Sequence, residues 1–361
     1  MEKIPVAVLG ATGTVGQKFV LLLENHPYFE IQEVVASPKS AGKRYDEACR
    51  WKQNRAIPAA VGSLTVKSTD QDLSSPLLFS GLDSSVAGAL EERYARRGHF
   101  VISNSANHRM DPDVPLIIPE INHDHLEIIQ TQPYEGAIVT NSNCSTMFMA
   151  MALAPLDREF GVEAVQVTTM QAITGAGYPG VPSMDILNNV VPYIGGEEEK
   201  MEIETQKILG KFSSDRIIPA DINISAQCNR VPVFDGHLET LSIRLRNKAP
   251  LEDVVRILRD FRGLPQEIGL PSAPASPLVV FEDQTRPQPA RDVWLNRGMS
   301  TLIGRVRECS IFDIKMVVMG HNTIRGAAGA AVLNAETVLK KGYLCDTSGI
   351  LSRWEEQLIS R

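Results

Sequence analysis

The feature that most restricts the fold of this chain is a glycine-rich turn near the beginning of the sequence. Residues 5–9 form a short apolar run, residues 10–16 read Gly-Ala-Thr-Gly-Thr-Val-Gly, and residues 17–24 place apolar side chains at helical spacing. This order predicts a strand, a tight turn and a helix whose N-terminus faces a pyrophosphate group. The spacing G-x-x-G-x-x-G differs from the more common G-x-G-x-x-G, but it meets the same need for a close backbone approach to the ligand. We therefore predict a dinucleotide-binding domain at the beginning of the chain.

The sequence after this turn alternates between short apolar strands and helices. We predict further strands at residues 31–36, 77–80, 100–103 and 137–140, with a helix at residues 85–97. Such alternation predicts a parallel, doubly wound sheet, in which ligands bind beyond the carboxyl ends of the strands. The first half of the chain is thus predicted to be a Rossmann-like domain of the α/β class.

The segment after the second predicted strand indicates which dinucleotide is bound. A cofactor without a 2′-phosphate usually meets an acidic side chain at this point. Here residues 37–44 read Ser-Pro-Lys-Ser-Ala-Gly-Lys-Arg, so hydroxyl groups and basic side chains replace the acid. These side chains suit the additional phosphate of NADP. The alternative interpretation is a solvated basic loop.

A single cysteine lies where a polar turn meets a strongly apolar run. Residues 141–150 read Asn-Ser-Asn-Cys-Ser-Thr-Met-Phe-Met-Ala. Ser142 or Asn143 can cap a helix that begins here, so the Cys144 sulfur is expected near the helix N-terminus, where thiolate is favoured over thiol. Thiolate is the reactive form, which suits a nucleophile beside the nicotinamide, whereas this segment alone also permits a buried, inert cysteine.

The second half of the chain has a different pattern. Predicted strands cover residues 162–172, 217–224, 238–245 and 309–319, predicted helices begin at Glu197 and at Leu251, and residues 271–289 are predicted to be irregular. This pattern predicts a substrate domain with a larger sheet, mixed or antiparallel, and covering helices. The predicted boundaries are 1–143 for the NADP-binding domain and 144–324 for the second domain. A C-terminal helix at about 325–361 is expected to return to the first domain.

Composition excludes several other classes of protein. The net charge of −7 argues against a general nucleic-acid binder, and the sequence has no apolar run as long as a membrane span. The five cysteines are scattered and include no Cys-x-x-Cys, which favours a reducing cytoplasm and argues against a structural zinc site. His123 and His125 are expected at the surface, and we predict no metal. Because the first residues run directly into a strand, no signal peptide is expected.

Several motifs in one order resemble those of aspartate-semialdehyde dehydrogenases, in the branch shared by archaea and fungi. The resemblance covers nearly the whole chain and implies that the second domain is an α+β catalytic and dimerisation domain with a mixed sheet. Beyond the glycine turn, it is carried by Ser105-Ala106-Asn107-His108-Arg109, Ser142-Asn143-Cys144-Ser145, Thr169-Met170-Gln171-Ala172, Glu198-Glu199-Lys200, Arg230-Val231-Pro232-Val233, Gly236-His237, Gly320-His321-Asn322 and Arg325-Gly326-Ala327-Ala328.

The resemblance implies a role for each matching residue. It implies catalytic roles for Cys144 as the nucleophile, Gln171 as the group that orients the substrate, and His237 as the general acid or base. It implies substrate contacts for Arg230 with the α-carboxylate, Glu198 with the amino group, and Arg109, Asn143 and Lys200 with phosphate. Three successive acids at 197–199 leave the register of Glu198 and Lys200 ambiguous by one position. The predicted cofactor contacts are Gly10, Thr12, Gly13, Thr14, Val15, Gly16, Ser37, Ser40, Ser80, Gly177 and Asn322.

The implied reaction is the reversible, NADPH-dependent reduction of L-4-aspartyl phosphate to L-aspartate 4-semialdehyde through a cysteine thioester, in lysine, threonine and methionine biosynthesis. In the oxidative direction, a neutral imidazole is expected to take the hydroxyl proton as hydride leaves. The alternatives are a malonyl-CoA reductase or an N-acetyl-glutamyl-phosphate reductase on the same scaffold, and a non-catalytic NADP-sensing protein. The expected partners are small molecules and further copies of the chain, as a homodimer or homotetramer. The apolar run after Cys144 can pack across a two-fold axis or inside the core.

Overall fold

The computed structural model describes residues 3–344, and its secondary structure alternates as the sequence predicts in the first half. The strands are β1 (Ile4–Leu9), β2 (Phe29–Ala36), β3 (Lys67–Ser68), β4 (Leu77–Ser80), β5 (Phe100–Ser103), β6 (Ala137–Thr140), β7 (Val162–Gln171), β8 (Lys211–Ser213), β9 (Arg216–Ile218), β10 (Asn223–Arg230), β11 (His237–Leu245), β12 (Leu278–Val280), β13 (Thr301–Glu308) and β14 (Ile314–Gly320). The α-helices are α1 (Thr14–Leu22), α2 (Tyr45–Ala48), α3 (Ala59–Gly62), α4 (Ser84–Arg96), α5 (Pro119–Asn122), α6 (Cys144–Phe160), α7 (Ser183–Ile186), α8 (Glu197–Ile208), α9 (Leu251–Asp260), α10 (Leu264–Glu267), α11 (Pro289–Asp292) and α12 (Gly329–Lys340). Shorter 3-10 helices cover His123–Thr131, Ile173–Ala176 and Leu295–Gly298, and a π-helix covers Ile324–Ala328.

The chain divides into two compact units. Among the described residues, the first unit contains residues 3–115, Leu126–Asn141 and residues 331–344, and the second contains Leu116–His125 and Ser142–Ala330. The main division after Asn141 lies two positions before the predicted boundary at 143. The predicted C-terminal helix is represented by α12, which ends at Lys340, and residues 345–361 lie outside the described part of the chain.

The first unit contains the predicted parallel, doubly wound sheet. Its strand order is β3-β2-β1-β4-β5-β6, and every pairing is parallel. The glycine turn follows β1 as predicted. Gly10 has a positive φ of 70°, and a methyl group on Gly16 would lie 2.2 Å from the carbonyl oxygen of Gly10. Glycine is therefore required at both positions, first to form the turn and then to let α1 approach it.

The second unit contains the predicted mixed sheet, in the order β10-β7-β11-β14-β13-β12. β7, β11, β14 and β13 pair in antiparallel fashion, and β10 and β12 pair in parallel at the two edges. Helix α6 packs in the core of this unit, where its apolar residues from Met147 to Leu153 are fully buried. The apolar run after Cys144 is thus part of the core.

Four predictions for the residues after Gly98 were wrong. Residues 271–289 are not irregular throughout, because Leu278–Val280 form β12, which pairs with β13. Residues 217–224 do not form one strand, because β9 ends at Ile218 just before Pro219, and β10 begins at Asn223. The predicted strand at 309–319 begins only at Ile314, since Cys309 lies in the turn that joins β13 to β14. His125 is 1% exposed rather than superficial, because its imidazole contacts the carbonyl oxygen of Gly210.

Within residues 3–344, no helix combines the length and the apolar character that crossing a bilayer requires. The same residues contain no cluster of three or more histidine, cysteine or acidic side chains that could bind a metal ion.

Candidate active site

Cys144 is the first residue of helix α6 and is partly exposed. Asn143 caps this helix, since its side-chain oxygen accepts hydrogen bonds from the N–H groups of Ser145, at 2.9 Å, and Thr146, at 3.2 Å. Of the two predicted caps, Asn143 is therefore the one used. The sulfur lies in the first turn, where the helix dipole favours a thiolate.

Cys144 is also approached closely by the backbone of the π-helix. A methyl group on Gly326 would lie 2.7 Å from the Cβ atom of Cys144, so no larger residue fits there without displacing the nucleophile. The resemblance included Gly326, but no local pattern marked it as a neighbour of Cys144. Short π-helical segments are frequent at functional sites, and this one abuts the candidate nucleophile.

His237 begins strand β11 and is completely buried. Its Nδ1 atom accepts a hydrogen bond of 3.0 Å from the backbone N–H of Ala172, and among residues 3–344 its Nε2 atom has no partner. Burial lowers the pKa of His237 well below its usual value, and the nearby Arg230 and His321 lower it further. A neutral ring whose Nδ1 accepts a hydrogen bond carries its proton on Nε2.

Arg230 ends strand β10 and lies next to His237. Its Nη1 atom donates a 2.9 Å hydrogen bond to the carbonyl oxygen of Ala172, the residue that also donates to His237. A methyl group on Gly175 would lie 2.8 Å from Arg230 Nη1 and 3.0 Å from His237 Nε2, so these two groups converge on one glycine. Burial lowers the pKa of Arg230, while negative charge at Cys144 and Glu197 opposes this effect.

The acidic group that meets the predicted site residues is Glu197. Its carboxylate accepts hydrogen bonds from Asn143 Nδ2 at 2.8 Å, Gln171 Nε2 at 3.3 Å and Lys200 Nζ at 3.1 Å. The predicted Glu198 has a different role, because its carboxylate accepts the backbone N–H of Cys228 at 3.0 Å. The structure therefore brings together Asn143, Gln171 and Lys200 as expected, but around the acid one position earlier.

Asn322 and Gly177, both predicted to contact the cofactor, lie in the second unit. Asn322 is 2% exposed, and its amide group joins two turns. Its oxygen accepts the N–H of Gly236 at 2.9 Å, and its nitrogen donates to Thr174 Oγ1 at 2.8 Å. The Asn322 side chain thus holds the residue that precedes His237. Gly177 has a positive φ of 69° and ends the 3-10 helix after β7.

The other predicted cofactor residues lie in the first unit. Helix α1 begins after Gly13 without a side-chain cap and without an acidic residue in its first turn. Its first N–H groups are therefore suited to a pyrophosphate. After β2, Ser37 and Lys39 are exposed, and Ser40 is partly exposed, so these side chains are accessible to a ligand.

Ser80 and Arg109 are also in the first unit, and both are buried. The Ser80 hydroxyl donates a 2.5 Å hydrogen bond to the buried carboxyl group of Glu91. Arg109 donates to the carbonyl oxygen of Asn104 at 2.8 Å.

A doubly wound dinucleotide-binding sheet, followed by a unit with a thiol at a helix N-terminus, a buried imidazole and a buried arginine, defines a thiol-dependent dehydrogenase. Two family models match the chain in that order. Residues 5–129 match the model described as "Semialdehyde dehydrogenase, NAD binding domain". Residues 153–325 match the one described as "Semialdehyde dehydrogenase, dimerisation domain".

Curated proteins and solved structures narrow this class. An aspartate-semialdehyde dehydrogenase from Schizosaccharomyces pombe is 47% identical, with 94% of this chain and 99% of the relative covered. One from Methanothermobacter thermautotrophicus is 46% identical, and the match covers 93% of this chain and 99% of that relative. The crystal structure of the Candida albicans aspartate-semialdehyde dehydrogenase with NADP has a TM-score of 0.88 at 41% identity and covers 95% of this chain and 100% of that one. The chain belongs to the aspartate-semialdehyde dehydrogenase family.

Proposed function

We propose that this chain catalyses the reversible, NADPH-dependent reduction of L-4-aspartyl phosphate to L-aspartate 4-semialdehyde and phosphate, a step of the aspartate pathway of amino-acid biosynthesis. The observation that carries this proposal is the convergence of Arg230 and His237 at Gly175, in the same unit as a helix N-terminal thiol. The proposal is supported by relatives that bear this name at 42–47% identity across nearly their full length.

The chemistry can be written with the residues of the second unit. The Cys144 thiolate attacks the acyl carbon, and phosphate leaves, which gives a thioester. When bound, the reduced cofactor supplies the hydride that converts the thioester carbonyl into a thiohemiacetal alkoxide. This alkoxide collapses to the aldehyde and returns the electron pair of the C–S bond to Cys144. Arg230 holds the α-carboxylate through its planar guanidinium group, and Glu197 receives the α-amino group.

The hydrogen bond from Ala172 changes the role expected for His237. A neutral ring that carries its proton on Nε2 and accepts an N–H at Nδ1 has no free nitrogen with which to act as a base. It can donate its Nε2–H to the oxygen of the thiohemiacetal alkoxide. None of the steps above requires a proton transfer at that oxygen, so a hydrogen-bond donor is sufficient. We assign His237 to this stabilising role.

Variants of Cys144 and His237 test the reaction. Wild-type enzyme given aspartate semialdehyde, phosphate and NADP should form reduced cofactor, and Cys144→Ser should abolish it. His237→Gln retains an N–H donor and should keep more activity than His237→Ala, which we expect to lose about 10²–10³-fold in kcat. Turnover by Cys144→Ser would exclude the covalent mechanism, and equal losses in the two His237 variants would exclude the donor role.

The contacts of Glu197 also bear on the alternatives. A free α-amino group requires an acidic partner, whereas an N-acetyl or malonyl substrate does not. A malonyl-CoA reductase or an N-acetyl-glutamyl-phosphate reductase has therefore less use for a carboxylate held by Asn143, Gln171 and Lys200. Activity with malonyl-CoA and none with aspartate semialdehyde would overturn this choice.

For the cofactor, the exposed Ser37 and Lys39 after β2 support a preference for NADP over NAD. A catalytic efficiency with NAD equal to that with NADP would contradict it.

The match of residues 153–325 to a dimerisation domain supports a homo-oligomer, for which we propose a homodimer or homotetramer. Sedimentation of the purified protein distinguishes these states from a monomer.

A further inference from the structure

The mechanism above leaves one buried acidic group unused. Glu239 lies two positions after His237 on strand β11, so both side chains point to the same face of the sheet. Leu241 and Ile243 continue this face, which packs against the apolar core around α6. Glu239 is 0% exposed and pairs with Thr169 on β7 and with Val318 on β14. A carboxyl group therefore occupies a position where the pattern calls for an apolar side chain.

In the described part of the chain, no cation contributes to the electrostatics of this carboxyl group. Within residues 3–344, neither oxygen of Glu239 forms a hydrogen bond of ordinary length and angle. The same holds for the hydroxyl of Ser145. The Ser145 hydroxyl still lies close enough to favour the charged form slightly, but burial dominates and raises the pKa of Glu239 well above its usual value. Cys228 on β10 lies close enough to interact electrostatically with Glu239, and His237 lies two positions away on the same strand.

We propose that Glu239 is a positioning residue that remains an uncharged carboxylic acid and supports the first turn of helix α6 through the hydroxyl of Ser145. The proposal rests on the assignment of Cys144 as nucleophile. Ser145 directly follows Cys144, so a contact between Ser145 and the sheet beneath it fixes where the sulfur stands. A protonated carboxyl can donate its O–H to the Ser145 oxygen, which gives a partner to two of these three buried oxygens.

The uncharged state also matters for the thiolate. A carboxylate beneath the first turn of α6 would compete with the Cys144 sulfur for the positive end of the helix and would disfavour its ionised form. A neutral acid gives the same hydrogen bond without the competing charge. The Cys144 sulfur then remains the anion that the helix N-terminus stabilises.

Glu239→Gln and Glu239→Leu separate these effects. The amide of Glu239→Gln can donate to Ser145 and is neutral, so we expect the pH dependence of Cys144 alkylation by iodoacetamide to match the wild type. Glu239→Leu lacks the donor, and kcat should fall about tenfold with little change in KM, as expected for one hydrogen bond. Because an apolar residue suits this position, unfolding should show no loss of stability. Leu241→Met, the next residue on the same face, serves as the control with an unchanged alkylation profile.

Infrared difference spectra report the protonation state of Glu239 directly. The carbonyl band of a protonated carboxylic acid should be present in the wild type at neutral pH and absent in Glu239→Gln. A missing band, or a Cys144 pKa lowered by about a unit in Glu239→Gln, would show that Glu239 is charged and would overturn the proposal.

Ser145→Ala tests the same contact from the helix and should reproduce the fall in kcat of Glu239→Leu. Wild-type kcat in Ser145→Ala would also overturn the proposal. Alkylation and infrared spectra need no substrate, so they remain decisive if the proposed reaction itself fails.

Discussion

Glu197 and Glu198 are adjacent in the sequence, but their carboxylates serve different parts of the second unit. Successive residues of a helix point about 100° apart, so a shift by one position moves a side chain from the site to the neighbouring strand. The three acids at 197–199 are indistinguishable by composition, which is why the sequence could not fix the register. The spacing of Glu197 and Lys200, three positions apart on one helix face, is the local signal that favours Glu197.

We expect Glu197→Gln and Glu198→Gln to have different effects. Glu197→Gln removes the charge proposed to receive the substrate amino group, so kcat/KM should fall about 10–100-fold, as for a lost charge-assisted hydrogen bond. Glu198→Gln should leave kcat/KM within about threefold, because its amide oxygen can still accept the N–H of Cys228. Steady-state kinetics with aspartate semialdehyde measures both. A larger loss in Glu198→Gln would restore the assignment based on the sequence.

The buried His237 makes stability depend on pH. Its pKa is lowered in the folded protein, so below about pH 6.5 the unfolded chain binds a proton that the folded protein does not. The free energy of unfolding should therefore decrease as the pH falls below about 6.5, by at most about 1.4 kcal/mol per pH unit for this one group. In His237→Gln this contribution should be absent. Urea unfolding of both proteins between pH 5 and 7.5 measures the difference, and parallel curves would contradict the lowered pKa.

At the scale of secondary structure, helix α6 shows how one residue serves both folding and the site. Asn143 caps the helix with its side-chain oxygen and holds Glu197 with its side-chain nitrogen. Its own backbone N–H is bound by the buried Glu204 at 2.6 Å. The sequence predicted the cap because a polar residue preceded an apolar run. It could not predict the contacts with Glu197 and Glu204, since these come from a helix more than fifty residues away.

Replacing Asn143 should separate the two functions. Asn143→Ser retains an oxygen for the cap but no nitrogen for Glu197, and Asn143→Ala retains neither. We expect Asn143→Ala to lose about 1–2 kcal/mol of unfolding free energy and Asn143→Ser to lose much less, whereas both should have reduced kcat/KM. Chemical denaturation and kinetics on the same preparations test this. Equal stability of the two variants would show that the cap contributes nothing.

For regular elements, the accuracy of the sequence prediction depended on periodicity and on breakers. The short strands of the first unit were predicted closely because each is an apolar run bounded by turn residues. The prediction failed at 217–224, where Pro219 separates β9 from β10, and at 309–319, where the hairpin turn around Cys309 is itself partly apolar. In both cases apolar residues continue through a turn, so composition alone did not mark the boundary.

At the scale of the whole molecule, the sequence could not predict which segments of the chain make up the second unit. Leu116–His125 belongs to this unit although the residues on both sides belong to the first. Glu120 in this segment forms a 2.7 Å ion pair with Arg325, and both side chains are 0% exposed. The partners are 205 residues apart in the sequence, and no local pattern relates them. A contact of this range is visible only in the fold.

Removing one partner of this buried ion pair should lower the unfolding free energy strongly, whereas replacing both partners by apolar residues should lower it much less. Arg325→Met leaves the Glu120 carboxylate buried without its partner, so we expect a loss of about 3–5 kcal/mol in unfolding free energy. The double variant Glu120→Leu/Arg325→Met removes both charges and should recover most of that loss. Arg246→Met is the control, because Arg246 pairs with Asp221 at the surface of the same unit and should lose at most about 1 kcal/mol. Urea unfolding of the four proteins tests the argument. A double variant as unstable as Arg325→Met, or less stable, would show that the two residues do not stabilise the unit as a pair.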